Sequence, residues 1–151
     1  IVAQIARHRG CELYVATRDA AHRALASELG ATWTGEAMEA PPVPLDAAIV
    51  FAPAGEIVPP ALRALGKGGT LVLAGIHMSD LPAMSYDACL FHEKTLTSVE
   101  SNTRADGEAP LAAAAAIPLR PRVTTFGLAD ANDALIALRR DGLRGSAVLV
   151  P

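Results

Sequence analysis

The tightest constraint on the fold lies in residues 45–76, where "LDAAIVFAP", "EIVPPALRALG" and "GGTLVLAGI" follow one another with almost nothing between them. The first and third runs have continuous apolar centres. Such a run is what a strand covered on both faces looks like, so both are predicted as buried strands. The middle run has helical spacing, with its prolines in the first turn, where they are tolerated. Strand, helix and strand in that order make a βαβ unit with a parallel pair. The four residues "GKGG" at 66–69 are predicted as its helix-to-strand hinge. Gly66 would end the helix in a left-handed conformation. Lys67 would complement the negative end of the helix, and Gly68 and Gly69 would turn the chain into the sheet.

The same alternation runs along the chain. "CELYVAT" reads as a short strand, and "DAAHRALASELG" as a helix with Asp19 as N-cap and Gly30 beyond its end. Ala21, Leu25, Ala26 and Leu29 share one face of it. "ATW" is a brief strand, and residues 36–44 are a polar, proline-rich loop. Further on, "KTLTSVES" is a strand, and "TRADGEAPLAAAAAI" is a helix capped by Thr103. "RVTTFGL" is a strand, "ADANDALIALRRDGLRG" a helix ended near Gly142, and "SAVLVP" a closing strand. The alternation predicts a doubly wound, mainly parallel α/β sheet with helices on both faces. The opening "IVAQIARHRG" reads as the later turns of an amphipathic helix, as if the pattern had begun earlier.

Composition excludes some classes. Hydrophobic residues make up 51% of the 151 and charged ones 19%, which argues against disorder. A net charge of −3 advertises neither nucleic acid nor anionic membrane as a partner. No apolar run is long enough for a membrane span. Two cysteines, Cys11 and Cys89, make no disulfide framework, so a reducing, cytoplasmic setting is the expectation.

Ligands of doubly wound sheets bind beyond the carboxyl ends of the strands. That rule selects four tips: Thr17-Arg18; Phe51-Ala52-Pro53; Ala74-Gly75-Ile76-His77; and Val99-Glu100-Ser101-Asn102. They should line one edge, where Gly75 would let a flat ring approach the backbone. His77 is the histidine placed nearest a ligand, whereas His8 and His22 read as solvent-facing. Cys89, His92 and Glu93 form a C-x-x-H-E cluster, but one Cys/His pair falls short of a zinc ligand set, and a structural helix turn is the better reading. No nucleophile elbow is present. No catalytic residue and no metal ligand is therefore assigned. Arg139, Arg140 and Arg144 cluster near a helix end, which the macrodipole favours by itself.

Taken in order, "YVATRDAAHRALASELGA", "LDAAIVFAPAGEIVPPALRALGKGGTLVLAGI", "SVESNTRADGE" and "FGLADANDALIALRRDGLRGSAVLVP" resemble the zinc-type alcohol dehydrogenases of the medium-chain dehydrogenase/reductase superfamily. The resemblance runs over nearly the whole chain but covers only the back half of such an enzyme. It implies a Rossmann-like nucleotide-binding domain over residues 1–118, without its first strand and G-x-G-x-x-G turn. Residues 119–151 would return to an absent catalytic domain and complete it. Thr17 and Arg18 would face the adenosine ribose. Phe51, Ala52 and Pro53 would pass the adenine side. Ala74, Gly75 and Ile76, with Val99 and Ser101, would border the nicotinamide, and Arg144 would approach the cofactor phosphates.

The implied activity is hydride transfer between an alcohol or aldehyde and NAD(P), with zinc held only in the absent domain. These 151 residues alone would be inactive. The absence of a carboxylate at Thr17, followed by Arg18, leans to NADP over NAD. Homo-oligomers pairing near residues 81–97 would fit the family. Two rivals stand beside this reading: another Rossmann-like enzyme such as a methyltransferase, against which the closing "ANDAL" and "RGSAVLV" argue, and a non-catalytic dinucleotide-sensing module.

Overall fold

The structure is a computed structural model that describes residues 1–140 and 142–151. It divides into two compact units, Gly35–Glu108 and Ile1–Thr34 with Ala109–Pro151.

Within Gly35–Glu108, strands β3 (Leu45–Val50), β4 (Leu65–Leu73) and β5 (Thr95–Ser98) form one sheet in that order, parallel throughout. Helix α3 (Val58–Ala64), entered through a short 3-10 turn at Gly55–Ile57, crosses from β3 to β4. A four-residue helix, α4 (Tyr86–Cys89), precedes β5. Val50, Val58, Leu62, Leu65, Leu71 and Cys89 make the buried cluster between α3, α4 and the sheet. Prolines 59 and 60 lie in the first turn of α3, where a missing N–H costs no intrahelical bond.

Two expectations are corrected here. β3 is not covered on both faces. Ala48 and Val50 face the α3 side, whereas Ala47 and Ile49, on the other side, are exposed, Ile49 by 47%. Apolar run length reports hydrophobicity, not how many faces a neighbour covers.

Nor is Gly66 the helix terminator. α3 passes at Leu65 directly into extended backbone (φ −71°, ψ 141°), and Gly66 already lies in β4 without a left-handed φ. The ammonium of Lys94, not Lys67, serves the end of α3, donating to the Leu62 carbonyl at 2.8 Å. The glycines instead build a bulge. Leu45 pairs with Leu65 but Ala47 with Thr70, so residues 66–69 swell out of β4. Gly68 takes the left-handed conformation there (φ +72°), and its N–H donates to the His92 carbonyl at 2.9 Å.

In the other unit, α1 (Val2–His8) is followed by β1 (Tyr14–Ala16), α2 (Ala20–Glu28) and β2 (Trp33–Gly35), with β1 and β2 forming a two-stranded sheet. Asp19 caps α2 as expected, its carboxylate accepting from Ala21 N–H at 2.7 Å and His22 N–H at 3.0 Å. Gly30 follows with φ +88°, the left-handed exit the sequence predicts. Helix α5 (Arg104–Ala116) runs across the division between the units and begins, within Gly35–Glu108, on a reciprocal cap: Thr103 Oγ1 accepts from Asp106 N–H, and the Asp106 carboxylate accepts from Thr103 N–H.

β6 (Val123–Gly127) and β7 (Ser146–Val150) form a further parallel pair, with α6 (Ala131–Arg139) between them in sequence. Asp141, inside the stretch read as helical, lies outside the described residues. Gln4 pins the chain before β6 to α1, donating to the Arg120 carbonyl and accepting from its N–H. No helix among the described residues is long and apolar enough to cross a membrane.

Candidate functional site

The register of β3, β4 and β5 fixes which residues can meet. Val50 pairs with Leu73, and Leu73 with Ser98, so the three strands end level with one another. The ladder continues one step further: Ala74 N–H donates to the Val50 carbonyl at 2.8 Å, and Val99 N–H to that of Leu73 at 3.2 Å. The tips 51–53, 74–77 and 99–102 therefore line one edge. The fourth expected tip, Thr17-Arg18, belongs to the other unit, at the end of β1. Arg144 also lies in that unit, exposed, in the loop before β7.

Two of the three tips are laced together. Ser79 N–H donates to the Pro53 carbonyl at 3.3 Å, and Gly55 N–H to Ser79 Oγ at 2.8 Å. A Cβ at Gly75 would stand 3.2 Å from Pro53 Cα, so glycine is what lets these backbones close up. At Gly55 a Cβ would meet the Asp80 carbonyl oxygen at 2.2 Å. The lacing was not readable from sequence, because Ser79 and Gly55 are 24 residues apart with no local pattern linking them.

Apolar groups stand exposed on this edge: Phe51 by 61%, Ile76 by 92% and Val99 by 60%. Ser101 holds a left-handed φ of +32°. Ala52, Pro53 and His77 are exposed, while Ala74 and Gly75 are half-buried. The apolar side chains and small residues of this edge can take the flat face of a ring, with Glu100 the one carboxylate among its three tips.

At the β1 tip, Thr17 is half-buried and Arg18 exposed. Arg23, one turn into α2, donates through Nη1 to the Thr17 carbonyl at 2.7 Å and the Arg18 carbonyl at 2.9 Å. Hydrogen bonds from the His22 and Ala21 backbone amides hold the Asp19 carboxyl below its ordinary value. The Asp19 carboxylate, next along the chain from this tip, is thus turned into its own helix. His22, expected to face solvent, is half-buried; His8 is exposed.

The C-x-x-H-E cluster is a fold element. Cys89 is fully buried, with its thiol directed at the Pro59 carbonyl at 3.9 Å. His92 and Glu93 occupy left-handed backbone in the turn that receives the Gly68 N–H. Among the described residues no group of three or more His, Cys, Asp or Glu could hold a metal ion.

A parallel α/β layer whose strand ends are open on one edge is the architecture of the Rossmann-like nucleotide-binding domains. The chain belongs to the zinc-binding dehydrogenase family, which its residues 1–116 match. It is 46% identical over 150 residues to "Probable alcohol dehydrogenase AdhA" of Mycobacterium tuberculosis, covering 99% of this chain and 43% of that protein. Among solved structures, a cinnamyl alcohol dehydrogenase of Sorghum bicolor superposes with a TM-score of 0.83 at 22% identity, over 97% of this chain and 42% of the other. The alcohol dehydrogenase of Aeropyrum pernix gives 0.81 at 20% identity, over all of this chain and 46% of its own. These two likenesses show the fold. The chain spans less than half the length of the relatives it matches. The zinc in the family's name finds no ligand set among the described residues.

Proposed function

We propose that these residues are the cofactor-holding part of an NAD(P)-dependent alcohol dehydrogenase. The observation that carries the reading is the 46% identity, sustained over 99% of the chain, to a protein named as an alcohol dehydrogenase. The level ends of β3, β4 and β5 support it, since they supply an apolar edge for a planar ring.

In this reading Ala74, Gly75, Ile76, Val99 and Ser101 border the nicotinamide, Phe51, Ala52 and Pro53 the adenine side, and Thr17 and Arg18 the adenosine ribose. Arg144 approaches the phosphates. When bound, the nicotinamide accepts or donates the hydride. The residues described here orient it and keep water from one side. Metal ligands and proton relay belong to the rest of the protein, and residues 119–151 serve that part rather than the cofactor domain.

The lean to NADP rests on the β1 tip. A carboxylate facing the ribose would repel a 2′-phosphate. Here Asp19 is engaged by Ala21 and His22, and the exposed group is Arg18, whose fork suits a phosphate.

The test is turnover of small alcohols by the complete protein with NADP+ and NAD+, with residues 1–151 assayed alongside. Oxidation by the complete protein, faster with NADP+, and none by residues 1–151 is expected. Binding of dinucleotide without turnover by the complete protein would favour the sensing module instead.

A further inference from the structure

Arg23 reaches backwards from α2 to the strand tip that precedes the helix. One nitrogen, Nη1, bridges the carbonyls of Thr17 and Arg18 at 2.7 and 2.9 Å. Asp19, the next residue along the chain, accepts from the amides of Ala21 and His22. Residues 17–19 are therefore tied from both sides: two carbonyls to Arg23 and one carboxylate to the start of α2. Only the side chain of Arg18 leaves this knot exposed.

The geometry points to Arg23 as a positioning residue for recognition of a phosphate monoester on the ribose of an adenosine ligand. It sets the backbone from which the Arg18 guanidinium projects, and it does so through two carbonyls at once. A lysine in its place keeps the positive charge, but its stem is shorter and flexible and lacks the planar group that fixes Nη1 between the two carbonyls. Charge alone would survive that exchange; the fixed direction of Arg18 would not. This inference rests on the dinucleotide reading above and adds to it a residue that touches no ligand.

The experiment is calorimetric titration of the complete protein with adenosine 2′,5′-bisphosphate and with adenosine 5′-monophosphate, for wild type, Arg23→Lys and Arg23→Gln. Neither probe needs a nicotinamide or a metal. Wild type is expected to prefer the bisphosphate. Both variants should lose about tenfold or more of that preference, while 5′-monophosphate affinity moves by less than about twofold. Thermal melts run alongside check that a variant is folded, and the lysine variant carries the test if the glutamine variant is not.

Three results would overturn the proposal: preference fully kept in Arg23→Lys, both ligands weakened in parallel, or a wild type that binds the two probes equally. The last leaves dinucleotide binding itself intact. A wild type that binds neither probe removes that reading as well.

Discussion

The two units use the same alternation of strands and helices but differ in what they bury. Of the eight buried hydrophobic residues among those described, six lie in Gly35–Glu108, and the other unit contributes only Ala26 and Ala134. The first unit has a central strand, β4, with a partner on each side and with α3 against one face. The second has two-stranded sheets, and its α6 leaves Leu135 and Leu138 exposed by 63% and 54%. A third strand makes the difference, because it gives a sheet an interior row that one helix can seal. Amphipathic patterning shows that a helix has an apolar side; it does not show that anything in the same unit covers that side.

The sharpest way to break this contrast is a pair of leucines. Leu62 is fully buried between α3 and the sheet, so Leu62→Ala should cost about 2–5 kcal/mol. Leu135→Ala, on the exposed side of α6, should cost less than about 0.5 kcal/mol. Urea unfolding of residues 1–151, to which these exposures belong, measures both. Equal losses would mean that the second unit has a core its exposure does not reveal.

A smaller effect separates two glycines of one bulge. Gly68→Ala places a Cβ on left-handed backbone and should cost about 1–2 kcal/mol, although nothing crowds it. Gly66→Ala finds ordinary contacts at 3.5 Å and no left-handed φ, and should be nearly neutral in thermal melts. The reverse order would restore Gly66 as the helix terminator.

The smallest effect is a pH dependence in the other unit. The Asp19 carboxyl lies below its ordinary value of 3.8, chiefly through the His22 amide and then that of Ala21. Its cap is therefore fully in force above that value and is lost as pH falls through the depressed one. The gap in stability between wild type and Asp19→Ala should be constant above about pH 5 and close below it in acid titrations followed by circular dichroism. A gap that persists in acid would mean that the cap does not act through the ionised carboxylate.

Local chemistry was legible in the sequence. Asp19, Thr103 and Gly30 sit at helix ends for reasons contained within four residues, and the structure has each in that role. The edge formed by residues 51–53, 74–77 and 99–102 was also legible, because helical crossovers bring successive strands in parallel. What failed was anything set by a distant partner. Lys94 serves the end of α3 from 32 residues away, which leaves Gly66 free to enter β4. The bulge at Gly68 answers to His92, and the exposure of Ile49 depends on which faces of β3 acquire a neighbour. The Arg23 clamp is local in sequence, yet a cation four residues after an N-cap carries no signal of its direction.

The central claim is that the carboxyl ends of the strands hold a nicotinamide dinucleotide. Hydrogen exchange of the complete protein, with and without saturating NADP+, tests it most directly. The account predicts slowed exchange concentrated in residues 17–18, 51–52, 74–77 and 99–101. Binding that leaves those amides unchanged and protects other segments instead would contradict it.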